Sequence, residues 1–255
     1  MPRPVIINLV HDPEFDDTRE SLQFYSPSQA WLADIVQAGP TLPFGMFAVS
    51  DDLRQDPLEF ADASPPEGPG GEGPITVTIE TGYAFGDGRH ATTWLCMKYL
   101  LDRLAGVPPA RRERFSLLDA GTGTGILAIT AALHGVRDID AVEVYRHAVI
   151  FAQRNIRTNG CEWIRLHESR LEDFSPERTY DIVTANLVSD VIEGNIGKLR
   201  DFIAPGGVLI ASGVSAGRHG SMLGLFERSG LRVTRQEGRD GWHGYVMVRV
   251  EGPTS

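Results

Sequence analysis

Three stretches of the chain carry residue types that can hold and orient a reactive ligand. The first is LLDAGTGTGILAIT (117–130), where an apolar run closes on Asp119 and then sets Gly121, Gly123 and Gly125 at alternate positions. Glycines so spaced let a backbone approach a ligand closely, and a helix that follows them offers unpaired amides. The second is Glu143, closing the next apolar run, where a carboxylate can accept both hydroxyls of a ribose. The third is Asn186, directly after the run YDIVTA, whose amide can accept a hydrogen bond from an amine and aim its lone pair, with the carbonyl of Leu187 assisting; a turn-capping amide is the plainer role. The glycine loop alone admits two ligands. Gly123 to Ala128 satisfies the dinucleotide pattern, with Glu143 about the expected distance onward. Asp119, however, would repel a pyrophosphate and could reach the ammonium of a methionine moiety, which favours a methyl-donating sulfonium nucleoside.

These residues need a scaffold, and the rest of the chain supplies its outline. At 255 residues, with 42% apolar and 23% charged side chains, the chain has ordinary globular proportions and room for one large α/β domain with an appendage. A net charge of −10 argues against a broad basic footprint for nucleic acid, so no direct nucleic-acid binding is expected. Cys96 and Cys161 lie far apart and show no metal-ligand spacing, so no metal site is expected. No stretch approaches the ~18 apolar residues of a membrane span, and the cytoplasm is the expected location.

Proline and glycine accumulate at 61–74, which reads as a linker. Before it, residues 1–60 form a small N-terminal α+β region: strands at 4–10 and 44–50, and a helix over 26–39 with Trp31, Leu32, Ile35 and Val36 on one face. After it, residues 75–255 begin with the alternating ITVTIE and a glycine-containing loop, then a helix from about Thr92 to Leu104. Strand and helix alternate thereafter, which predicts a doubly wound, mostly parallel seven-stranded sheet. Within that series, a helix over 191–203 is ended by Pro205-Gly206-Gly207, with a strand at 207–214. The last two strands, LRVTRQEG and GYVMVRV, have no helix between them, so they form a C-terminal antiparallel hairpin with Trp242 and His243 in its loop.

Asp119 to Gly125, Glu143 and YDIVTANLV resemble the class I S-adenosylmethionine-dependent methyltransferases, which have this Rossmann-like fold. More narrowly, AFGDGRHATTWLCMKYL, LLDAGTGTGILAITAA, ANLVSDVIEG and APGGVLIASGV resemble the bacterial methyltransferases of large-subunit ribosomal protein eleven. The resemblance covers residues 75 to about 215 well and the C-terminal hairpin loosely. It implies S-adenosyl-L-methionine as cofactor, a protein lysine or N-terminal amine as acceptor, and the ribosomal protein as substrate; methylation of a small molecule, dinucleotide oxidoreduction and ligand binding without turnover are the rivals. It also implies that Asn186 is catalytic. Contacts to the cofactor would come from Phe85, Thr92 and Thr93, from Asp119, Gly121, Thr122, Gly123 and Gly125, and from Glu143, Val144, Leu171 and Asn186.

Plainer roles stand beside these. Phe85 can be core, one of Thr92 and Thr93 can cap the helix, and His90 can be a hydrogen-bonder that shapes the loop instead of a general base. The chain departs from the family pattern at Asp87, where threonine is usual. It departs again at Ser169-Arg170-Leu171-Glu172, where an acidic residue usually meets the adenine amine. Arg170 cannot accept a hydrogen bond, which leaves Glu168, Glu172 or backbone groups for that part. Residues 1–74 do not match the family's substrate-recognition module.

Overall fold

The computed structural model describes residues 5–10, 47–50, 75–80 and 84–250, and of Ile6, Val10 and residues 47–50 the backbone alone. The helix read at 26–39 and the linker at 61–74 lie outside the described residues. In chain order come β1 (Val5–Val10), β2 (Phe47–Ser50), β3 (Ile75–Glu80), α1 (Ala91–Ala105), α2 (Pro109–Arg112), β4 (Ser116–Ala120), α3 (Ile126–Leu133) and β5 (Asp138–Glu143). They are followed by α4 (Arg146–Thr158), β6 (Arg165–Glu168), β7 (Tyr180–Asn186), α5 (Ser189–Asp201), β8 (Ile203–Ser215), α6 (His219–Arg228), β9 (Leu231–Arg239) and β10 (Trp242–Arg249).

Seven strands form one sheet in the order β6-β5-β4-β7-β8-β10-β9. All neighbours up to β8 are parallel, and β10 runs antiparallel to both β8 and β9. The central strand β4 reads as a continuous apolar run because both of its faces are covered: Leu117 belongs to the core beneath α1 and α3, Leu118 to the core beneath α5 and α6. The terminal hairpin turns on Asp240 and Gly241, both at positive φ (49° and 79°), the backbone of a two-residue type I′ turn. Trp242 and His243 are therefore the first residues of β10 and not loop residues as expected, because two residues suffice to reverse the chain.

The expected helix over 191–203 ends earlier, at Asp201, and β8 already begins at Ile203. Pro205, Gly206 and Gly207 lie inside that strand, not after a helix. The pairing with β7 skips from Tyr180↔Ile203 to Ile182↔Val208, so the proline and glycines form a bulge. A Cβ on Gly207 would stand 2.8 Å from the Tyr180 carbonyl oxygen, which explains a glycine there.

A second sheet of three parallel strands, β2-β1-β3, involves the N-terminal segments and Ile75–Glu80. Its buried side chains Val5, Ile7, Val77 and Ile79 join the same core as α1, α3 and α4. Ile7 reaches the loop before α1, where its Cδ1 occupies the space that a Cβ on Gly88 would need.

Candidate active site

In an open α/β sheet, ligands gather at the carboxyl ends of the strands. Here that edge brings together the ends of β4, β5 and β7 and the loop before α1. Asp119, one residue from the end of β4, has no exposed surface. Its Oδ2 accepts the Thr122 hydroxyl (2.7 Å) and its Oδ1 the Thr184 hydroxyl (2.6 Å). Burial raises its pKa, opposed by the bonds from Thr184, Thr122 and the Ala128 amide, while the nearby Glu143 charge raises it further. Asp119 thus fixes the loop from below, and a bound ammonium would not meet it as an exposed carboxylate.

Above it the glycine loop is locked by its own amides. Gly121 and Thr122 both donate to the Val142 carbonyl, Gly123 donates to Glu143 Oε2 (3.0 Å), Thr124 to the Phe85 carbonyl (3.0 Å) and Gly125 to the Thr122 carbonyl (2.9 Å). Five consecutive N–H groups are therefore spent within the protein. Gly123 (φ 56°) has to be glycine on two counts, since a Cβ there would also lie 2.2 Å from the Phe85 carbonyl oxygen.

Glu143 is buried at the end of β5. Besides the Gly123 amide it accepts the amides of Val144 (2.8 Å) and Tyr145 (2.9 Å), both on Oε1. Oε2 carries one bond, so it is the oxygen that keeps acceptor capacity. Val144 and Tyr145, half exposed just beyond, give the cleft an apolar wall beside it, with Phe85 exposed on another side. Leu171 is buried and packs with the core beneath α5. Arg170 and Glu172 pair with one another at the surface, and Glu168 pairs with Arg146.

Asn186 closes β7. Its Nδ2 donates to Thr93 Oγ1 (3.2 Å), and Oδ1 accepts no hydrogen bond among the described residues. Thr93 is thereby a partner of Asn186 and caps nothing; nor does Thr92. The helix cap of α1 is His90, whose Nδ1 accepts the Thr92 amide (3.3 Å) and lies 2.8 Å from the Thr92 hydroxyl. The His90 ring stands edge-on between Phe85 (5.3 Å) and Trp242 (5.2 Å), and burial lowers its pKa below the usual histidine value. That setting fits a neutral, structural imidazole. Asp87 accepts the Arg89 amide (2.9 Å), a local turn bond. His243 faces the opposite side of the sheet, stacked on His219 at 4.0 Å.

Three residues escape a reading of the sequence: Thr184, the second holder of Asp119; Gly213 (φ 97°), where a Cβ would lie 2.0 Å from the Leu187 carbonyl oxygen; and Thr124. Thr124 is fully buried, and its hydroxyl donates to the Gly86 carbonyl (2.6 Å), so it ties the loop before α1 to the glycine loop. The TGTG repeat held the signal, because threonine between the glycines supplies a short hydroxyl donor. Among the described residues no group of three or more His, Cys, Asp or Glu could hold a metal, and no helix is long and apolar enough to cross a membrane.

The seven-stranded sheet with one reversed strand, and a glycine loop between carboxylates at its carboxyl edge, is the architecture of the Rossmann-like methyltransferases. A crystal structure of a ribosomal protein L11 methylase from Lactobacillus delbrueckii subsp. bulgaricus shares this fold with a TM-score of 0.63 at 24% identity, covering 73% of this chain and 91% of that one. The family model for ribosomal protein L11 methyltransferase (PrmA) matches residues 62–250, and the chain belongs to this family. A ribosomal protein L11 methyltransferase from Pelotomaculum thermopropionicum is 34% identical over 172 residues, 67% of this chain and 53% of the relative. Its counterpart from Trichlorobacter lovleyi is 37% identical over 157 residues, 61% and 50% of the two chains. The chain spans about half the length of the curated relatives it matches.

Proposed function

We propose that this chain is an S-adenosylmethionine-dependent N-methyltransferase acting on a protein amine, a lysine or an N-terminus, with ribosomal protein L11 as its substrate and the cytoplasm as its place of work. One observation carries the choice of ligand: the amides from Gly121 to Gly125 already donate within the protein. A pyrophosphate needs such amides free, as anion sites at helix N-termini do. A cationic sulfonium nucleoside needs instead a close backbone, a carboxylate and apolar walls, which Gly121, Gly123, Gly125, Glu143 and Val144 supply, while Asp119 holds the loop from beneath. Glu143 Oε2 is suited to the ribose hydroxyls. With Glu168 and Glu172 paired to arginines, the adenine amine falls to backbone groups near Val144 and Leu171.

Bound S-adenosylmethionine supplies a methyl group on an electrophilic sulfonium. The chain's part is to hold an amine, neutral and in line with it, and such positioning supplies up to ~7–11 kcal/mol of a barrier. Asn186 fits that part. Its Nδ2 is fixed on Thr93, so Oδ1 is the atom presented to an acceptor amine, and the Leu187 carbonyl is the neighbouring acceptor. Exposed Val188, next along the chain, offers an apolar surface to the methylene stem of a lysine.

Labelled methyl donor incubated with the protein and a bacterial lysate should place label in protein L11. Label confined to small molecules would remove the protein-substrate half of the reading. Titration with adenosylhomocysteine and with a nicotinamide dinucleotide decides the ligand half, and heat with the dinucleotide alone would reverse it. Asn186→Ala should lower kcat on the order of a hundredfold while adenosylhomocysteine affinity stays nearly unchanged.

A further inference from the structure

Helix α4 and the residue that caps its C-terminus present two asparagines, Asn155 and Asn159, to the open edge of β3. Asn159 Oδ1 accepts the Thr78 amide (2.9 Å), and its Nδ2 donates to the Thr78 carbonyl (2.7 Å). Asn155 repeats the pattern two residues on: Oδ1 accepts the Glu80 amide (2.8 Å) and Nδ2 donates to the Glu80 carbonyl (2.9 Å). Alternate strand residues point their backbone groups to the same side, and side chains at i and i+4 share a helix face, so the two amides stand in for a neighbouring strand.

The two are not equivalent. Asn155, 1% exposed, also donates Nδ2 to the Thr124 carbonyl at 2.9 Å. Thr124 is the residue whose amide and hydroxyl hold Phe85 and Gly86, so with Asn155 all of its polar groups are engaged. One carboxamide therefore joins three parts of the molecule: the strand of the N-terminal sheet, the helix after β5, and the glycine loop. Asn159 joins only strand and helix.

We infer that Asn155 is a positioning residue for the methyl-donor loop, through which the seating of the three-stranded sheet on α4 sets the geometry of Gly121–Gly125. The inference rests on the assignment of that loop to the methyl donor. It gives the small sheet a role in cofactor binding besides any role in recognising the protein substrate. Asn155 touches no reacting atom; it acts through the Thr124 carbonyl, and its loss should appear in donor affinity and not in turnover.

The full chain is titrated with adenosylhomocysteine as wild type, Asn155→Ala, Asn155→Asp and Asn159→Ala, and kcat is read at saturating donor. Asn155→Asp keeps the acceptor for the Glu80 amide and removes the Nδ2 donor to both the Thr124 and Glu80 carbonyls; urea unfolding establishes that each variant is folded, and Asn159→Ala reads the loss of strand contacts alone. Both Asn155 variants should bind at least tenfold more weakly, with kcat within threefold of wild type, and Asn159→Ala should bind within twofold. Wild-type affinity in Asn155→Asp overturns the inference. So does a loss in Asn159→Ala equal to that in Asn155→Ala, since the seat of β3 alone would then suffice. A wild-type chain that fails to bind adenosylhomocysteine overturns the donor assignment itself.

Discussion

Two buried aspartates sit on adjacent central strands and are treated in opposite ways. Asp119, near the end of β4, is held by two threonine hydroxyls and an amide, all neutral, and burial leaves its pKa raised. Asp140, on β5 opposite Leu118, accepts Arg165 through Nε and a terminal nitrogen (both 2.8 Å), Arg178 (2.7 Å), His167 (2.7 Å) and Tyr180 (2.9 Å). Burial acts to raise its pKa too, but the bonds from Arg165, His167 and Tyr180 outweigh it and hold the carboxyl well below the usual range. The difference separates architecture from chemistry. Around Asp140 the charge is cancelled on site, and the cluster staples β5, β6 and the entry to β7. Among the described residues no cationic side chain bonds Asp119 or Glu143; Asp119 is held by neutral donors beneath the loop, and the charge of Glu143 at the carboxyl edge is left for a cationic ligand to complete.

The contrast can be broken most sharply at Asp140. Asp140→Ala leaves Arg165 and Arg178 with Asp138 as the carboxylate they share and should cost about 2–4 kcal/mol by urea unfolding, less than for a fully buried pair because Asp138 stays bonded to both and Arg165 is half exposed. Adenosylhomocysteine affinity of the folded variant should move by no more than about 0.5 kcal/mol, as for an independent site. Because the folded pKa is depressed, this contribution is present above the ordinary value of 3.8 and is lost as pH falls through the folded one. A gap between wild type and Asp140→Asn that closes already near pH 5 would contradict it.

Next in size, Glu143→Ala should weaken adenosylhomocysteine binding by ~1–3 kcal/mol, the scale for hydroxyls left without an acceptor. Unchanged affinity in calorimetry would take Glu143 out of the site. The last test is Asp119→Asn, read by its direction. With the folded pKa raised, the stability of the wild type is greatest below the ordinary value and falls as pH rises through the folded one. The variant lacks that loss and should gain on the wild type as pH rises from about 4 to neutrality. If the wild type gains instead, the two aspartates are of one kind.

Much of this was legible in the sequence because the cues were local. Leu117 to Asp119 reads as a doubly covered strand, and the stretch between LRVTRQEG and GYVMVRV leaves no room for a helix. Gly121 to Gly125, Glu143 and Asn186 fall on strand ends, and strand ends share an edge in a parallel sheet. The misreadings came where one residue type serves two ends. Pro205-Gly206-Gly207 signals a stop as readily as a bulge, and only the pairing with Tyr180 decides. Threonine outranks histidine as a helix cap, yet the Phe85 and Trp242 rings seat His90 in that place. The charge of Asp119 was visible, but not the neutrality of its partners, because Thr184 arrives from a strand 65 positions away.

Sheet order also sets a sequence of assembly. The last of the described strands to be synthesised, β10, is not at the rim; it is wedged between β8 and β9. A nascent chain ending at residue 241 would offer β8 an unfilled flank, leave β9 nothing to join, and lack the indole that backs His90 at the head of α1. The mouth of the cleft is therefore finished only once residues 242–249 have been made, and a fragment released before them would carry the glycine loop without a closed doorway around it.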